Sequence, residues 1–95
     1  MAREESDGLG AEQERRLKRL KFRSWHRGTR ELDLLLGPFA DRHLDELSAA
    51  ELAEYELLLT QPDPDVYDWI LGQGEPPPVL AQGVLRLIRH FHKTD

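Results

Sequence analysis

Ninety-five residues and 11.0 kDa hold one domain, since a single hydrophobic core serves roughly 50 to 200 residues. Hydrophobic residues make up 39% of the chain, charged residues 33%, and the aromatics are 3 Phe, 2 Tyr and 2 Trp, which excludes a wholly disordered chain. Cys is absent, which excludes disulfides, thiolate metal sites and cysteine nucleophiles and suits a reducing compartment. The net charge of −5 conceals an asymmetry: residues 15–30 carry eight bases and no acid, whereas residues 31–78 carry one base and twelve acids. Such a dipole can steer a partner or hold the fold's own segments together. Apolar runs stop at three residues, as at Leu34-Leu35-Leu36, too short for a transmembrane span.

Residues 1–10, with Ser6, Gly8, Gly10 and several charges, show no apolar periodicity and read as a flexible tail. A single domain is expected over 11–95. From about Ala11 the pattern turns helical, with Leu17, Leu20 and Trp25 as apolar positions and Phe22 close by. Arg15, Arg19, Arg23 and Arg27 recur every four residues and line one face with cations, before Gly28 in the position of a C-cap. A second helix starts near Thr29, whose hydroxyl can cap it. Leu32, Leu35, Leu36 and Phe39 form its inner stripe, and the phase continues past Gly37-Pro38 to Leu47, which predicts one kinked helix.

Ser48-Ala-Ala-Glu51 is a capping box that opens a third helix, with Leu52, Tyr55, Leu58 and Leu59 inward, up to Gln61-Pro62. A fourth helix is predicted with Asp63 as N-cap and Pro64 at its first position, burying Val66, Trp69 and Ile70 and stopping at Gly72 and Gly74. Glu-Pro-Pro-Pro at 75–78 is a stiff connector. A fifth helix follows from about Val79 to His92, with Leu80, Val84, Leu87, Ile88 and Phe91 on one face. No stretch alternates with period two. The expected fold is all-α: a compact five-helix bundle behind a disordered N-terminal tail.

Catalytic chemistry has little to stand on. His90 and His92 are two apart and point to different helix faces, whereas a paired metal site wants a spacing of four. Neither a nucleophile elbow nor a P-loop is present, and Gly72-Gln-Gly74 runs into prolines instead of a helix over a pyrophosphate. An enzyme is not expected. The basic segment offers cations to phosphates of nucleic acid or lipid, but the pI near 5.3 and the lack of a reading module weigh against nucleic acid. The turn from Trp25 to Asp33 gathers an aromatic, a His, two Arg, a Gly and two acids around a helix break. It reads equally as a protein-binding corner and as local structure, with Gly28 as a cap and Arg27 pairing with Glu31.

At this turn Arg27, Gly28 and Glu31 match an Arg-Gly-x-x-Glu motif, and the chain resembles the flavinylation-factor family, the small succinate dehydrogenase assembly factors of bacteria and mitochondria. The run from Arg27 to Phe39 resembles the family's second helix, Leu44-Asp-Glu-Leu-Ser48 leads into its third, and Asp63-Pro-Asp-Val-Tyr-Asp-Trp-Ile70 resembles its fourth. The likeness covers about residues 15–92. His26 departs from it, standing where many members carry a second Arg.

The resemblance implies a chaperone that binds the flavoprotein subunit of succinate dehydrogenase, and in bacteria fumarate reductase, and promotes covalent attachment of FAD to a histidine of that subunit. The partner-binding residues it implies are Arg27, Gly28 and Glu31, with Asp33, Arg30, His26 and Arg23 beside them. FAD belongs to the client, so no cofactor is expected to be held tightly by this chain, and it is expected to act as a monomer. Two rivals stand beside this reading: an antitoxin-type regulator of a membrane toxin, and a basic-helix binder of nucleic acid or membrane surfaces. The acidic N-terminus without an apolar stretch favours the bacterial cytoplasm, or the mitochondrial matrix for a processed eukaryotic chain.

Overall fold

The computed structural model describes the backbone of residues 2–93 and the side chains of residues 10–93. Helix α1 spans Ala2–Trp25, α2 Arg30–His43, α3 Ala49–Leu59 and α4 Asp63–Ile70; a one-turn helix, α5, spans Pro78–Ala81, and α6 spans Val84–Lys93. A 3-10 turn, Leu44–Glu46, joins α2 to α3, and the described residues contain no strand. The side chains of residues 1–9, where the flexible tail is expected, lie outside the described residues.

Local chemistry sets most boundaries as expected. Thr29 caps α2, its hydroxyl accepting from the Leu32 amide at 3.3 Å. The capping box of α3 is complete: the Glu51 amide donates to Ser48 Oγ at 3.1 Å and the Ser48 amide to Glu51 Oε1 at 2.9 Å. Pro38 sits inside α2 without splitting it, because Leu32, Leu36, Phe39 and Ala40 on its inner face are all buried in the common core. After Ile70 the chain turns through Gly72 and Gly74, both at positive φ.

Four boundaries differ. The second helix does not run on to Leu47: it ends at His43, and a 3-10 turn over Leu44–Glu46 takes over with Leu44 still buried in the core. The first helix ends at Trp25, so Gly28 is not its C-cap but lies within the turn at φ +112°, and Arg27 stands outside the cationic face formed by Arg15, Arg19 and Arg23. Asp63 does not cap α4; Pro62 holds that position, because the Asp63 carboxylate is drawn to Arg27. The fifth helical segment is broken at Gln82–Gly83. There the Glu54 carboxylate from α3 accepts the Val84 amide at 2.9 Å and lies only 1.7 Å from where a Cβ on Gly83 would stand. A residue with a side chain would push this capping carboxylate away. The break resets the helical phase, so Leu85 is buried in place of Leu87, which stays 37% exposed.

Helix α1 packs against α2 and α3, with Leu17 and Leu20 on the common core, Ser24 bonded to Tyr55 of α3 and Trp25 laid on α2. Ser24 is buried; its hydroxyl donates to the Leu20 carbonyl at 2.7 Å and shares a hydrogen bond of 2.5 Å with the Tyr55 hydroxyl. Burial, the dominant effect, pushes the Tyr55 hydroxyl up to about 12, opposed by the bond to Ser24. Trp25 lays its indole on Gly37, where an added Cβ would come within 2.3 Å of the ring, and its Nε1 donates to Asp41 at 3.1 Å. Gly37 is therefore a landing site for an aromatic ring.

Part of the charge dipole is used inside the molecule. Arg16 forms a two-point bond with Glu56 at 2.9 and 2.5 Å, and Lys21 pairs with Asp45 at 3.2 Å. The bond from Arg16 lowers the Glu56 carboxyl below the usual carboxylate range. Arg15, Arg19 and Arg23 form no ion pair among the described residues.

Candidate functional site

The α1–α2 corner is held from beneath by Arg27. Its guanidinium points inward, with the side chain 10% exposed, and donates to the Leu59 carbonyl at 2.6 Å, the Gln61 carbonyl at 3.2 Å and Asp63 Oδ1 at 2.6 Å. Leu59 and Gln61 lie at the C-terminal end of α3, where carbonyls lack helical partners, so one cation ties the corner to the end of α3 and the start of α4. Arg27 Nε is buried without a hydrogen-bond partner among the described residues. Above, the Arg27 amide donates to Asp33 Oδ1 at 2.6 Å, and the Asp33 amide donates to the Thr29 carbonyl at 3.0 Å. Asp33 thus clamps the turn to the first turn of α2.

The seven residues expected to bind a partner therefore separate into two groups. Arg27 and Asp33 face the fold and shape the corner. Arg23, His26, Gly28, Arg30 and Glu31 are exposed around it. Arg27 does not pair with Glu31; its partner is Asp63, because the guanidinium turns under the corner. His26 donates Nδ1–H to the Phe22 carbonyl at 2.7 Å and stacks on the Phe22 ring at 4.0 Å, leaving an aromatic pair outside α1 with Phe22 64% exposed. At Gly28 the nearest neighbour of an added Cβ is Asp63 Oδ2 at 3.4 Å, so there is room, but φ +112° strains any L side chain.

The structure adds residues that the sequence reading leaves out of the site. Thr29 and Glu31 face Asp63, Pro64, Tyr67 and Asp68 of α4 across an open groove of about 430 Å³. The signal available in the sequence is the block Asp63 to Ile70, read there only as a helix. Its approach to Glu31 depends on the long-range reach of Arg27.

These features define a small all-α protein with a rigid, charged corner and an acidic groove beside it. The family model described as "Flavinator of succinate dehydrogenase" matches residues 18–92, and the chain belongs to this family. Over 85 residues, 90% of this chain and 60% of the relative, it is 44% identical to "Succinate dehydrogenase assembly factor 2, mitochondrial" of Dictyostelium discoideum. Over 71 residues, 75% of this chain and 65% of the relative, it is 44% identical to "FAD assembly factor SdhE" of Acetobacter pasteurianus. A relative of the same description from Photobacterium profundum is 37% identical over 73 residues, 76% of this chain and 82% of the relative. The chain thus spans less than two thirds of the length of the first two. No solved structure matches it. No helix among the described residues is long and apolar enough to cross a membrane.

Proposed function

We propose that this chain is an assembly factor that binds the flavoprotein subunit of succinate dehydrogenase, and in bacteria fumarate reductase, and promotes covalent attachment of FAD. The observation that carries the reading is the division of the motif corner: Arg27 is spent on holding the turn, which leaves the backbone at Gly28 open and the Glu31 carboxylate exposed, with no ion pair among the described residues. A turn fixed before binding loses little conformational freedom on docking. Family membership and the printed names of the relatives support the same reading.

In this mechanism the factor supplies no catalytic side chain. It selects the client conformation in which the flavin and the accepting histidine are aligned, converting part of its binding energy into orientation. FAD stays with the client, and fluorescence titration of the isolated monomeric chain is expected to show no tight flavin binding. The factor works in the compartment of its client, the bacterial cytoplasm or the mitochondrial matrix. Family membership and the printed names of the relatives favour this reading over the antitoxin-type and basic-helix ones.

The test is covalent flavin fluorescence of a succinate dehydrogenase flavoprotein subunit on a denaturing gel. The subunit is expressed alone, with the wild-type chain, and with Gly28→Arg or Glu31→Ala. The wild type is expected to raise the signal and both variants to lose most of the increase. Equal signal in every lane, without co-purification, would sink the proposal.

A further inference from the structure

The groove between the start of α2 and α4 has charge that the fold does not neutralise. Asp63 is paired with Arg27 at 2.6 Å. Glu31 and Asp68, by contrast, are exposed and form no ion pair among the described residues, and Arg30, adjacent in sequence, reaches neither. Asp68 stands in the last turn of α4, where the carbonyl ends of the helix disfavour a carboxylate; Arg89 of α6 donates to the Trp69 carbonyl there at 2.7 Å but forms no ion pair with Asp68 among the described residues. Tyr67 lines the same groove, half-buried against the core, with a hydroxyl that makes no hydrogen bond among the described residues. Pro64 adds an apolar ring to the lining.

We infer that this groove receives a basic side chain, an arginine or lysine, projecting from the partner protein. The inference rests on the proposed function and names the partner chemistry of the same corner. The aliphatic stem of such a side chain lies on Pro64 and Tyr67, its cation meets the electron-rich ring face, and Glu31 and Asp68 flank the charge from the two helices. The volume of about 430 Å³ admits one long side chain with water around it. Charge complementarity selects the sign of the occupant: an acidic or purely aliphatic segment would leave two carboxylates facing an uncompensated neighbour. Tyr67 and Asp68 become specificity-determining residues of the corner, joined to the Arg-Gly-x-x-Glu motif in space although 36 and 37 positions from Glu31 in sequence.

Two measurements test this. In the first, binding of the succinate dehydrogenase flavoprotein subunit is followed by calorimetry at two salt concentrations for the wild type, Asp68→Asn, Glu31→Gln and Tyr67→Leu. Each variant is expected to weaken binding roughly five- to tenfold, and the two charge variants to flatten the salt dependence. Wild-type binding that Asp68→Asn and Tyr67→Leu leave unchanged would overturn the inference while the assembly-factor reading stands. In the second, N-acetyl-arginine methylamide is titrated into the isotopically labelled full chain and amide shifts are recorded. Saturable shifts at residues 29, 31, 67 and 68 are expected, lost in the Glu31→Gln/Asp68→Asn double variant and absent with N-acetyl-leucine methylamide. If the flavoprotein subunit does not bind the wild type, the assembly-factor reading fails. The groove is then judged by the titration alone, where absence of saturable shifts refutes it.

Discussion

Replacing Arg27 by Met tests whether the motif arginine serves the fold before it serves a partner. Met keeps most of the buried stem and removes the guanidinium, which makes three hydrogen bonds of 2.6, 3.2 and 2.6 Å to Leu59, Gln61 and Asp63. The Asp63 carboxylate, 27% exposed, then loses its cation, and two carbonyls at the end of α3 lose a charged donor. Breaking a fully buried pair costs about 3–5 kcal/mol. Solvent at Asp63 and the missing partner of Arg27 Nε reduce that figure, so about 2–3 kcal/mol is expected here. Against a total stability of roughly 5–10 kcal/mol this is a large fraction. With a urea slope of about 1 kcal/mol per molar, the midpoint falls by roughly 2–3 M. Urea unfolding followed by tryptophan emission measures it, since Trp25 sits at the corner and Trp69 in α4. Arg27→Lys should lie between wild type and Arg27→Met, because one ammonium cannot span three acceptors set out for a fork. A double-mutant cycle with Asp63→Asn should return a coupling of about 1–2 kcal/mol. If Arg27→Met unfolds within about 0.5 kcal/mol of wild type while partner binding is lost, the arginine is a contact residue and the lock described above is wrong.

Three further outcomes follow from the packing and ionisation. Gly37→Ala drives a methyl group into the Trp25 indole and should destabilise the chain by about 1–3 kcal/mol, with a shifted Trp25 emission; an unchanged melting temperature would refute the contact. Tyr55 holds its proton in the folded state up to about pH 12, whereas the unfolded phenol loses it near 10. Its contribution is therefore complete below pH 10 and falls by about 2–3 kcal/mol between pH 10 and 12, and Tyr55→Phe should flatten the urea midpoint across that range. Glu56, lowered by its bond from Arg16, stabilises the fold above the ordinary carboxylate range and loses that effect as pH falls through its depressed value. Because the pair is about one third exposed, Glu56→Gln should cost under about 1 kcal/mol at neutral pH and less in high salt; a salt-independent loss would contradict the assignment.

Most helices, the caps at Thr29 and Ser48 and most of the core were legible in the residues themselves, because periodicity, capping boxes and proline positions act over a single turn of chain. Ser48 to Glu51 and the buried stripe of α2 are read from neighbours three and four residues away, and they stand in the structure as the spacing requires. The corner was legible as a charged turn carrying a motif, but not the direction of its arginine. Arg27 has nearby acids at Glu31 and Asp33, yet its guanidinium takes Asp63, 36 positions along the chain, and two carbonyls that only the end of α3 leaves free. The same reason hides Gly37 beneath Trp25, the Glu54 cap that breaks the last helical segment at Gly83, and the meeting of Glu31 with Tyr67 and Asp68. Each depends on which surfaces the packed core brings together, and a flexible charged side chain chooses among several partners only once their distances are set.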